Sequence, residues 1–146
     1  MNKRKRTILL ATILVLLAAA TAGYLFWNKP HKDVMDTDAV KVTAAALYNS
    51  YITDSAAARK RYTDQVLEVS GEISKLALNQ QEQQIILIKT PVPGAFINCS
   101  MEKSSEILKE GGDVTVKGIC SGYIGGDADM GLPGDVFLTR AYPIIK

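Results

Sequence analysis

An unbroken apolar run near the N-terminus is the dominant feature of the hydropathy pattern. Thr7–Trp27, a stretch of 21 residues without a charge, follows the basic block Lys3–Arg6. A helix of that length rises about 31 Å, which matches a hydrocarbon core of roughly 30 Å. Tyr24, Phe26 and Trp27 lie at its far end, where aromatic side chains favour the lipid headgroups. The pattern therefore predicts that residues 7–27 cross a bilayer.

The basic block also predicts the orientation of the chain. Basic residues before a span stay in the cytoplasm, so we expect residues 1–6 on the cytoplasmic side of the membrane and residues 28–146 on its outer side. Ala20–Ala22 before Gly23 resembles the cleavage site of a secretory leader. Cleavage after Ala22 is thus the alternative to an uncleaved signal anchor.

Beyond the span the charge balance reverses. The whole chain has a formal net charge of +2, but residues 28–146 carry 13 Lys+Arg against 15 Asp+Glu. The basic excess is therefore a topology signal, and no long basic run remains to bind a phosphate backbone. Residues 28–42 are polar and contain Pro30, so we interpret them as a juxtamembrane linker. The sole histidine, His31, stands there without partners at metal-ligand spacing.

Apolar side chains recur every three or four positions between residues 40 and 62, which indicates helices. Thr43 and Asp54 are favourable N-cap residues, so we predict one helix at about 43–52 and a second at about 54–62. A tyrosine stripe follows the apolar face, and we expect it to pack into a core. The stripe consists of Tyr48, Tyr51 and Tyr62.

From Gln65 onward the apolar positions alternate with a period of two, which is typical of half-buried strands. Five strands with one inserted helix, in the order β-β-β-α-β-β, predict a five-stranded OB-fold barrel, with an SH3-like barrel as the alternative. Gly71, inside the first strand, indicates a bend or bulge. The predicted domain covers residues 43–146 and is mainly β with helices. Its first strand begins at Gln65, the others cover 85–89, 95–101, 113–120 and 135–145, and the helix covers 102–110.

Two cysteines in an exported domain predict a disulfide, because oxidising compartments allow one. Cys99 and Cys120 both fall on core-facing positions of their strands. A bond between them would close a loop of about 20 residues and contribute roughly 3 kcal/mol in the chain-entropy model. The alternative is two buried thiols, because these two strands are not direct neighbours in an OB barrel. A redox-active pair is disfavoured by the absence of a Cys-x-x-Cys motif.

No arrangement of residues in the sequence points to catalysis, to a cofactor or to a metal. Asp127 and Asp129 resemble the start of a calcium loop, but Leu138 stands where an EF-hand needs its bidentate Glu. The lone His31 is far in sequence from any nucleophile, so a Ser/His/Asp set is not credible. We therefore expect a protein that is not an enzyme and holds no cofactor.

Several segments match a known family in their order and spacing. They are Tyr51–Tyr62 followed by Val66–Gly71, Asn98-Cys99 before a charged stretch, Gly112–Tyr123, and Asp135–Leu138. Together they resemble the bacterial tRNA-anti-like OB-fold family over residues 28–142. The resemblance implies the OB-fold. With the apolar run and the basic block before it, we expect a single-pass anchor in the bacterial inner membrane, with the domain in the periplasm. The resemblance brings no catalytic residues, and the family name does not itself imply binding to tRNA.

The expected function is a non-catalytic binding or scaffolding module outside the inner membrane. Its partners are the bilayer, through residues 7–27, and a protein or a glycan. Binding of cell-wall oligosaccharide is an alternative at the same surface, and binding of single-stranded nucleic acid is less favoured because few cations and aromatic rings are present. The predicted ligand face is the barrel mouth with its Gly-rich loop, comprising Phe96, Asn98, Tyr123, Asp127 and Asp129.

Overall fold

The computed structural model describes residues 3–27, 33–127 and 129–145 and divides into two compact units. The first unit contains one helix, α1 (Lys3–Trp27). Its segment Arg4–Trp27 is long and apolar enough to cross a membrane. Residues 28–32 of the predicted linker, including His31, lie outside the described residues, as does Ala128 in the predicted loop.

The second unit opens with a 3-10 helix (Val34–Asp36) and a short strand, β1 (Val40–Thr43), in a region that the sequence pattern assigned to the linker. The two predicted helices follow as α2 (Ala44–Thr53) and α3 (Ser55–Tyr62). Their predicted N-caps form: the Thr43 hydroxyl accepts the Ala46 N–H, and the Asp54 carboxylate accepts the Ala57 N–H.

Five further strands close into a barrel, namely β2 (Val66–Leu78), β3 (Gln84–Lys89), β4 (Phe96–Met101), β5 (Asp113–Ile124) and β6 (Asp135–Pro143). Strand β1 adds a sixth by pairing parallel with β2. The order around the sheet is β1-β2-β3-β4-β6-β5, and pairing of β2 with β5 closes it. The strands β4 and β6 are parallel, and the other barrel pairs are antiparallel. This arrangement confirms the predicted OB-fold.

The predicted helix at 102–110 is wrong, because this segment forms turns between β4 and β5. Tertiary hydrogen bonds hold it in that form. The Gln84 side chain exchanges two hydrogen bonds with the backbone of Ser105, and the Glu110 carboxylate accepts the Leu76 N–H at 2.9 Å. A nine-residue helix is marginal in water, so these contacts with β2 and β3 decide its conformation.

The first barrel strand shows the predicted alternation, since Leu67, Val69 and Ile73 are buried. The register between β2 and β3 shifts between Ile73 and Lys75, and this irregularity bends β2 just after Gly71. Gly71 itself is needed for a close approach, because a Cβ there would lie 2.5 Å from the Ile88 side chain.

The core lies between α2 and the inner face of the barrel. The helix contributes Leu47, Tyr48 and Tyr51, which are almost completely buried. Tyr62 of α3 joins the same cluster, so the prediction that the tyrosine stripe packs into the core is confirmed.

Candidate binding surface

The loop between β5 and β6 lies beside the start of β4 at one end of the barrel. The Phe96 N–H donates to the Asp135 carboxylate at 2.8 Å, which ties the first residues of β4 and β6 together. Pro133 lies against Gly94, in the turn before β4. We call this region the mouth surface. It consists of the described residues of loop 125–134 and the outward-facing side chains of Leu87, Phe96, Asn98, Ile124 and Phe137.

The loop is organised by its own hydrogen bonds. The Asp127 carboxylate accepts the backbone N–H groups of Asp129 and Met130, and the Asp127 carbonyl accepts the Leu132 N–H at 2.9 Å. Gly126 passes so close to Leu132 that a side chain at Gly126 would collide with the backbone. These contacts define the turn in the loop, so Asp127 stabilises the turn and also adds a negative charge to the surface.

Tyrosines from α2 hold the base of the loop. The Tyr48 hydroxyl donates a buried hydrogen bond of 2.9 Å to the Gly134 carbonyl. The Tyr123 ring stacks on Tyr51 with centroids 5.9 Å apart and meets Tyr48 edge-on at 6.0 Å. Burial is the main cause that raises the pKa of Tyr48 and of Tyr51 to about 12, so both hydroxyls stay protonated and can donate.

The structure does not bring all predicted site residues onto one face. Phe96 and Asn98 point outward, and Asp127 and Asp129 lie exposed on the loop. Tyr123 instead packs against the tyrosines of α2, because Tyr123 pairs with the inward-facing Val136. The cause is an irregularity at Ser121: one extra residue in β5 shifts every later side chain to the opposite face.

Leu87 and Phe137, which the predicted ligand face did not include, also belong to the outward face. Asn98 pairs with Leu87 on one side and with Phe137 on the other, and all three side chains are half-buried. A signal for them was present in the sequence. Strand β3 is apolar on both faces, and Phe137 stands between the inward-facing Val136 and Leu138. Together they give three adjacent strands an apolar outer face.

The predicted disulfide is wrong, since Cys99 and Cys120 are both free and buried. Each cysteine pairs in register with Leu138, but from opposite sides of β6. Two interstrand spacings separate their backbones by about 10 Å, which exceeds the roughly 7 Å limit for a disulfide. Burial raises the pKa of both thiols, and the Tyr51 hydroxyl lies 3.4 Å from the Cys120 sulfur. Both cysteines and Tyr51 therefore belong to the hydrophobic core.

A cavity of about 850 Å³ lies apart from the loop, between the start of α2, the bend of β2 and segment 107–112. Its lining includes the apolar residues Ile73, Val114 and Ile144. Glu72 and Lys89 also line the cavity and form an ion pair with each other. In the described part of the chain, no group of three or more His, Cys, Asp and Glu side chains is placed to hold a metal ion.

Comparison with known proteins identifies the family. A family model described as tRNA_anti-like matches residues 1–130, which is most of the chain and includes β1 to β5. A search of curated proteins finds no match. Because the match covers well over half of the sequence and the strand order is that of an OB-fold, the chain belongs to the tRNA_anti-like family of OB-fold domains.

Proposed function

We propose that this protein is a membrane-anchored, extracytoplasmic binding module that captures a protein partner at the mouth surface and performs no catalysis. The observation that carries this proposal is the apolar outer face of the barrel. Leu87, Phe96 and Phe137 occupy outward-facing positions on three adjacent strands, where a fully solvated barrel would present polar residues. Membership of an OB-fold family supports binding as the function of the domain.

The length and composition of α1 support the anchor. The helix is apolar from Thr7 to Trp27, and its basic residues come before the apolar run. Positive residues on the N-terminal side favour a cytoplasmic N-terminus, which would place the barrel outside.

Oligosaccharide of the cell wall is the second candidate ligand. Asn98 lies between Leu87 and Phe137, so an amide that can bind hydroxyl groups stands beside an aromatic ring. Nucleic acid is less favoured, because Lys89 beside this face is already paired with Glu72 and Asp135 adds a carboxylate. The mouth surface therefore lacks the cationic track that a phosphate backbone needs.

Photo-cross-linking in native membranes tests the proposal. A photoreactive residue is introduced at Phe96 or at Phe137 in the full-length chain, with Glu106, in the turns before β5, as the control position. A discrete protein adduct from both mouth positions and none from position 106 is the expected result. The absence of any adduct from the mouth, or the same adduct from all three positions, contradicts the proposal. Retention of the chain on purified cell wall, lost when Asn98 and Phe137 become Ala, would favour the oligosaccharide instead.

A further inference from the structure

Large apolar side chains are exposed on the mouth loop and at the end of β5 that leads into it. Ile124 is 63% exposed, Met130 68% and Leu132 56%. All three belong to one stretch of nine residues, and the close approach of Gly126 to Leu132 brings the two ends of that stretch together. Exposed apolar side chains gathered in one place mark interaction sites in soluble domains.

The loop is held in shape before any partner arrives. The Asp127 carboxylate fixes the turn at Asp129 and Met130, and Tyr48 fixes the far end through Gly134. A surface that is already ordered loses little conformational entropy on binding. The apolar side chains are thus displayed on a loop whose turn and far end are held by hydrogen bonds.

The stretch of chain that carries the tip has charges of a single sign. Between Gly118 and Thr139 the sequence contains three aspartates and no Lys or Arg. Asp135 is engaged with the Phe96 N–H, while Asp127 and Asp129 stand exposed beside the apolar side chains. Such a surface repels phosphate groups and anionic lipid headgroups, and it attracts cations.

We infer that the tip of loop 125–134 docks a cationic polypeptide segment in which Lys or Arg residues alternate with apolar ones. The apolar side chains of the partner would cover Met130 and Leu132, and its basic side chains would pair with Asp127 and Asp129. This inference rests on the proposed function, because it names the class of partner that the mouth surface accepts.

A binding assay with a synthetic Leu/Lys peptide tests the inference. The full-length chain is reconstituted in phosphatidylcholine nanodiscs, and binding to empty nanodiscs is subtracted. The first variant is Asp127→Asn with Asp129→Asn, in which the amide oxygen introduced at position 127 can still accept the turn hydrogen bonds. The second is Met130→Ser with Leu132→Ser. The control is Glu82→Gln with Glu106→Gln, which removes the same charge from two other exposed turns.

Each mouth variant is expected to weaken the peptide affinity by about tenfold or more, and the control by less than about twofold. The aspartate variant should also reduce the salt dependence of binding, because it removes the screened charges. Equal affinity of all variants, or equal binding of a matched Leu/Glu peptide, overturns the inference. If cross-links from Phe96 to a cellular protein persist in that case, the proposed function stands and only the assigned partner class fails.

Discussion

The Tyr48 hydroxyl of α2 donates its buried hydrogen bond to the carbonyl oxygen of Gly134, 86 residues later in the chain. This bond joins the helix that enters the core to the last residue of the mouth loop. Gly134 has no room for a side chain, because the Tyr123 ring covers it. The helix before the barrel therefore helps to position the loop between β5 and β6.

Tyr48→Phe tests the energetic role of this bond. The ring and its packing remain, but the buried Gly134 carbonyl loses its donor, so the free energy of unfolding should fall by about 1–3 kcal/mol. Thermal unfolding of the full-length chain, followed by near-ultraviolet circular dichroism, measures the change. The control is Tyr142→Phe, since the Tyr142 hydroxyl makes no hydrogen bond to any described residue. Equal stability of both variants would show that water satisfies the carbonyl.

Gly134→Ala should be far more damaging than Gly125→Ala in the same loop. A Cβ at Gly134 would collide with the Ile124 carbonyl and lie 2.6 Å from the Tyr123 hydroxyl, whereas at Gly125 the nearest atom is 3.9 Å away. Overpacking of this kind costs about 1–3 kcal/mol, and the control substitution should be close to neutral. The same unfolding measurement checks both variants, and a similar loss for the two would contradict the packing described for Gly134.

The thiol state of the two cysteines can be read directly. Burial and a raised pKa should protect Cys99 and Cys120 from iodoacetamide in the native protein. After denaturation without reductant, both should react, and intact mass should increase by two adducts. A denatured chain that reacts only after reduction would instead show a disulfide and refute the register-based argument.

Alkaline pH should destabilise the fold through the buried tyrosines. The pKa of Tyr48 and of Tyr51 rises from 10.0 to about 12 on folding, mainly because of burial. The unfolded chain therefore releases these protons first, so the stabilisation present below about pH 10 is lost progressively toward about pH 12. The melting temperature should fall across this window, and the fall should be shallower in the Tyr48→Phe/Tyr51→Phe variant. Parallel pH profiles would exclude these two hydroxyls as the cause.

A proline substitution in segment 102–110 distinguishes turns from a helix. Glu106 lies in a turn, so Glu106→Pro should change the free energy of unfolding by less than about 1 kcal/mol. The control, Asn49→Pro, places proline at an exposed position inside α2 and should cost about 3 kcal/mol. A comparable loss at Glu106 would indicate a helix after all.

The sequence by itself determined the elements whose signals are local. Thr43 and Asp54 start helices because a hydroxyl or carboxylate oxygen satisfies free N–H groups within one turn. The alternation through Leu67 and Val69 predicts the inner face of β2, because side chains in a strand alternate between its two faces. Because the five barrel strands and their order along the chain are readable in this way, the OB-fold class was accessible without coordinates.

Only the tertiary structure decided the features that depend on distant pairing. Strand β1 has only four residues, too few for the alternation of Val40 and Val42 with polar residues to predict a strand, and it forms by pairing with the free edge of β2. The irregularity between Cys120 and Gly122 turns Tyr123 inward, away from Phe96. Gly122, with a φ of 108°, permits it, but a glycine in a strand does not by itself say which way the following side chains turn. The pairing of β4 and β5 with β6 likewise places Leu138 between the two cysteines. Register between strands is set by contacts far apart in the chain, so it decides which side chains meet and lies beyond the reach of any local pattern.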